Sequence, residues 1–146
     1  MSDSPALDKS LDLLLQKLPD LTGKVLLVAD ENWSQAHWSA IKNSTKCQLM
    51  LISNRFDIAV GGKTAGIDSR FNDFDFSDLA QHSFDAILFR VSKERANSHY
   101  VINQAAQLLQ PGAELWLSGE KKDGIKTYTK QACKRFSDST NATKHG

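Results

Sequence analysis

The 146-residue chain holds two cysteines, three prolines and eight glycines, and each scarcity narrows what it can be. Cys47 and Cys133 lie far apart, with no CxxC partner for either. That excludes a disulfide framework and points to a reducing compartment. Cys47 sits in an apolar run and Cys133 on a helix face, so both are expected as small core residues. The N-terminus, MSDSPALDKS, has no basic start leading into an apolar stretch, so no secretory signal is read. No apolar run approaches the ~20 residues that a membrane helix needs. These absences predict a cytoplasmic protein with no membrane partner. Internal repeats and long low-complexity segments are missing too. Charge of one sign is not in excess, since the formal net charge is +1. The whole molecule is therefore no electrostatic magnet for a polyanion.

What is present suits one globular domain over residues 1–146, with 137–146 as a frayed polar tail. Leucines at 7, 11, 14, 15 and 18 make a helical stripe, capped by Ser4 with Pro5 at its first position and ended by Pro19. KVLLVAD (24–30), CQLMLIS (47–53), FDAILFRV (84–91) and AELWLSG (113–119) read as strands buried on both faces. Helices are expected at 34–42, 93–109 and 125–136, with Pro111-Gly112 closing the second of these. Between Asn54 and Ser83 the pattern weakens. IAVGG (58–62) suggests a short strand, and the rest up to Asp78 suggests loop with a short extended piece. Strands alternating with helices imply βαβ units and a mostly parallel sheet covered on both faces.

In such a sheet, ligands sit at the carboxyl ends of the strands. A nucleotide-like cofactor needs glycines after the first strand, because the backbone must approach it closely. Here that strand runs into VADENWSQAHW, which has no glycine. Asp30, Glu31, Asn32 and Trp33 occupy the turn instead. The second strand would end in Asp or Glu to hold ribose hydroxyls, and Asn54 stands there without charge. GGKTAG (61–66) is not a phosphate loop, since the glycine required five residues before Gly62 is Asp57. A flexible loop is expected there.

Other constellations are weak. His37, His82, His99 and His145 show no metal-ligand spacing, so no metal is expected. Ser92 and Ser118 lack the GxSxG setting of a nucleophile. Asp73, Asp75 and Asp78 lack the glycine and closing Glu of a calcium loop. Trp116 alternates within a strand and is expected in the core, whereas Trp33 sits in a strand-end loop and Trp38 on a helix; any of the three could stack on a base. Charge is uneven along the chain. From Gly119 onward there are seven Lys/Arg against three Asp/Glu, and residues 1–118 carry eleven against fourteen. Lys126, Lys130 and Lys134 share one helical face, with Lys121 and Lys122 just before it. Such a stripe is a solvated face or a contact for phosphate oxygens.

The second half also carries a specific pattern. FDAILFRV is followed by SKERA, a helix, Leu108-Leu109-Gln110-Pro111-Gly112, ELWLSG and Gly119-Glu120-Lys121-Lys122-Asp123-Gly124-Ile125-Lys126. This resembles the N-terminal domain of bacterial ribosomal RNA guanine-N2 methyltransferases, both the group acting on the small subunit and a sister group acting on the large one. The resemblance covers the second half well and the first half in strand order only. It implies a Rossmann-like α/β fold, of class I methyltransferase type, with a degenerate cofactor site. It also implies a catalytic C-terminal partner domain that holds S-adenosylmethionine and an Asn-Pro-Pro-Phe motif. At the place of that motif this chain has Phe89-Arg90-Val91-Ser92, so no catalytic or cofactor-binding residue carries over. The chain ends at TKHG where the family continues, so a piece of a longer protein or a naturally short one is expected. Three functional expectations result. One is a non-catalytic domain that stabilises the catalytic half and holds ribosomal RNA through Lys121, Lys122, Lys126, Lys130 and Lys134. The second is a free-standing binding module on the same scaffold. The third is a small active methyltransferase in which Asp30 and Asp85 bind the cofactor.

Overall fold

A computed structural model describes residues 11, 14–33, 36–77, 79–90 and 95–118. The four apolar runs form strands as expected: β1 (Lys24–Ala29), β2 (Gln48–Ser53), β4 (Phe84–Arg90) and β5 (Leu109–Ser118). A fifth strand, β3 (Asp68–Phe71), is short and polar. All pair in parallel, in the order β3-β2-β1-β4-β5. Strand order reverses between β1 and β4, which makes their carboxyl ends the ligand corner of this architecture. Alternation along each strand sends side chains to two cores. Leu26, Val28, Ile52, Ile87 and Phe89 pack with Val101, Ile102 and Ala105. Val25, Leu27, Leu51 and Leu88 pack with Leu11, Leu14, Leu18, Trp38, Ile41 and Ile58. The first two leucines of the expected N-terminal stripe that are described, Leu11 and Leu14, are therefore core residues.

Among the described residues, α1 (Trp38–Asn43), α2 (Phe56–Thr64) and α3 (Arg95–Leu108) help cover these faces. The middle one corrects the sequence reading. Residues 58–62 are not a strand and 61–64 are not a loop; all lie in α2. Glycines cost roughly 1 kcal/mol each in a helix interior, and two of them hid this element. Their packing explains them. A Cβ on Gly62 would come within 2.5 Å of Leu51 Cδ2 and would also strike Ser69 Oγ. One on Gly61 would lie 2.9 Å from Trp38 Cδ1. The glycines let α2 lie directly on β2, β3 and α1. Ile67 N–H donates to the Gly62 carbonyl at 2.9 Å and Gly66 N–H to the Lys63 carbonyl at 3.0 Å, with Gly66 at φ 90°. That is the left-handed glycine ending of a helix.

Pro111-Gly112 also departs from expectation. Helix α3 ends at Leu108 and β5 starts at Leu109. The pair lies inside β5, where register jumps from Phe84↔Leu109 to Ala86↔Glu114. The helix end is closed by the incoming loop instead. His82 and Ser83 donate their N–H groups to the carbonyls of Gln107 and Leu108, each at 2.9 Å. This satisfies carbonyls that a helix terminus leaves open. At the amino end of the sheet, Asp85 accepts the Lys24 N–H at 2.8 Å. Gly23, at φ 82°, makes room for that carboxylate, since a Cβ there would strike it.

Candidate functional site

The turn after β1 is closed by its own side chains. Asp30, at the end of the strand, is 3% exposed. Its carbonyl accepts the Trp33 N–H at 3.0 Å, and the Trp33 carbonyl accepts the Ala36 N–H at 3.0 Å. Residues Glu31–Trp33 thus wind as one 3-10 turn. Trp33 is fully buried and stacks on Trp38, with ring centroids 5.8 Å apart and planes 1° from parallel. Its indole Nε1 is buried without a hydrogen-bond partner. Trp33 is held by ring packing, at the place where a glycine-rich loop would leave space for a ligand.

The neighbouring strand ends complete the corner. Val28 pairs with Phe89, so Arg90 follows on β4 beside the end of β1. Arg90 is 3% exposed and, like Asp30, is engaged with other groups. A buried guanidinium and a buried carboxylate thus end two adjacent strands. On β2, Ser53 is buried and its hydroxyl accepts the Arg55 N–H at 3.0 Å. Asn54 Oδ1 is buried with no hydrogen-bond partner. Its amide stands where ribose-binding sites place a carboxylate, as the sequence suggested.

Asp30 and Asp85 do not form a site together. Val25 pairs with Ala86, which puts Asp85 beside Lys24 at the amino end of the sheet. Asp30 lies six residues further along, about 20 Å away at ~3.3 Å per residue. Asp85 is also occupied as the acceptor of the Lys24 N–H. The expectation that these two aspartates hold a cofactor is thereby overturned.

The remaining candidates scatter. Among the described residues, no group of three or more His, Cys, Asp or Glu is placed to hold a metal ion. His37 is exposed, and His82 lies with Nδ1 3.1 Å from the Leu109 carbonyl. Asp75 belongs to a self-contained turn: its N–H donates to Asn72 Oδ1 at 2.9 Å, and its carboxylate accepts the Ser77 N–H at 2.9 Å. The Ser77 hydroxyl and then the Ser77 N–H hold the Asp75 carboxyl below the usual carboxylate range. Cys47 is buried as expected, and burial pushes its thiol up. Trp116 is half-buried, with Lys17 Nζ 5.1 Å from its ring centroid. Lys121, Lys122, Lys126, Lys130 and Lys134 lie outside the described residues, as do Ser92, Cys133 and His145. No described helix is long and apolar enough to cross a membrane.

What sequence reasoning missed is the surface around α2. Phe56 is 65% exposed, Val60 42% and Phe71 56%. The phenyl rings of Phe56 and Phe71 meet edge to face, 5.5 Å apart. The Ala65-Gly66 ending of α2 was the available signal, because a glycine after a run of helix-compatible residues marks a helix terminus.

A parallel sheet whose five described strands run in this order, with its ligand corner at β1 and β4, defines a Rossmann-like fold of the methyltransferase type. Solved structures share it at low identity. A chain from the complex of the Haloferax volcanii Trm112 methyltransferase activator with a candidate methyltransferase matches with a TM-score of 0.60 and 12% identity, over 89% of this chain and 66% of that one. The CurK enoyl reductase matches at 0.61 and 15%, over 94% and 43%. A geranyl diphosphate methyltransferase in complex with GPP and sinefungin matches at 0.53 and 16%, over 90% and 52%. These identities speak for the fold alone, which methyl and hydride chemistry share.

The sequence carries the assignment further. The family described as methyltransferase small domain N-terminal matches residues 11–144, and the chain belongs to it. Ribosomal RNA small subunit methyltransferase C of Shewanella loihica is 43% identical over 49 residues, which are 34% of this chain and 14% of that protein. The match thus spans about a seventh of the relative's length.

Proposed function

We propose that this chain is the non-catalytic N-terminal domain of a cytoplasmic, S-adenosylmethionine-dependent ribosomal RNA guanine-N2 methyltransferase acting on the small subunit. It packs against and stabilises a catalytic half, and that half holds the methyl donor. The observation that carries this proposal is the closed corner after β1, where Trp33 is 0% exposed within a family of methyltransferase N-terminal domains. A ligand there would have to displace a stacked indole. Removing a buried tryptophan from its packing costs about 3–5 kcal/mol, roughly half to three-quarters of the binding energy of a ~10 μM ligand. Filled in this way, the scaffold keeps its stability without its chemistry. Titration calorimetry of the chain with S-adenosylmethionine is expected to show no saturable binding at micromolar concentrations, and such binding would contradict the proposal.

RNA contact is a second part of the proposal and rests on the lysine spacing. Changing Lys126, Lys130 and Lys134 together to Glu is expected to weaken RNA affinity and flatten its salt dependence. Unchanged affinity and slope would remove the RNA role. The rival reading, a free-standing interaction module, is separated by the gene. A reading frame that continues past Gly146 into a glycine-rich strand turn and Asn-Pro-Pro-Phe favours the methyltransferase domain, and a stop codon there favours the module.

A further inference from the structure

We draw no further inference here: the strongest candidate, the exposed apolar patch of Phe56, Val60 and Phe71 where α2 meets the edge strand β3, carries none, because nothing in the structure shows what covers it.

Discussion

Two turns leave neighbouring strands at the same edge of the sheet and use their aromatic residues in opposite ways. After β1 the chain winds inward, and Trp33 is fully buried against Trp38. After β2 it steps outward through Arg55, and Phe56 is left 65% exposed at the start of α2. Both turns lie where this fold places ligand-binding loops. The first has become part of the hydrophobic core, and the second presents an apolar surface. One strand end of the scaffold is thus filled by its own side chains while its neighbour leaves an aromatic ring exposed.

The contrast can be broken most directly at Trp33. Trp33→Ala is expected to destabilise the domain by about 3–5 kcal/mol, as for other buried aromatics, in guanidinium unfolding. Phe56→Ser should stay within ~0.5 kcal/mol, as for surface changes that touch no special feature. Similar losses for the two would end the distinction between a filled corner and a displayed patch. Trp33→Phe should cost clearly less than Trp33→Ala, because the Trp33 Nε1 has no hydrogen bond to lose.

The next effect sharpens the account of α2. Gly62→Ala is expected to cost about 1–3 kcal/mol, the range for overpacking a filled site, because its methyl group would meet Leu51 and Ser69. Gly66→Ala has open space but must adopt φ 90°. Its cost should therefore be backbone strain of roughly 1–2 kcal/mol, and Gly66→Asn should cost less, since asparagine tolerates that region. At the amino end of the sheet, Asp85→Ala should cost about 1 kcal/mol for the lost hydrogen bond to the Lys24 N–H.

The smallest effect is a pH dependence. Asp75 is held below the usual carboxylate range by Ser77. A carboxyl depressed in the folded state contributes stability above its unfolded pKa and loses it as pH falls through the folded one. Asp75→Asn should thus lower the melting temperature slightly at pH 7. The difference from the unchanged chain should vanish in strong acid, where both are uncharged at this position. A gap that persists at the lowest pH would mean that the turn depends on shape and not on charge.

Much of this architecture was legible in the residues. β1, β2 and β4 are continuous apolar runs, and only a strand buried on both faces needs that pattern. The absence of glycine after β1 correctly foretold a turn built from side chains, although the tight stack of Trp33 on Trp38 depends on α1 and could not be read from position alone. Helix α2 was hidden because its two glycines lower local helix preference, and the reason for them lies in residues seven to twenty-three positions away, at Leu51, Ser69 and Trp38. Pro111-Gly112 misled in the opposite direction. It reads as a helix stop, yet α3 is closed by His82 and Ser83 from a distant loop. The exposed patch was the least legible feature, since Phe56, Val60 and Phe71 look like core residues until the sheet edge is known.

The parallel pair of indoles gives the chain an internal optical reporter. Two such chromophores 5.8 Å apart couple electronically, and their near-ultraviolet circular dichroism is sensitive to how the rings are placed. That signal depends on their mutual orientation, which binding of a partner at the sheet edge need not disturb. Entry of any small molecule into the corner after β1 would disturb it at once, so the presence or absence of such entry can be followed without labels.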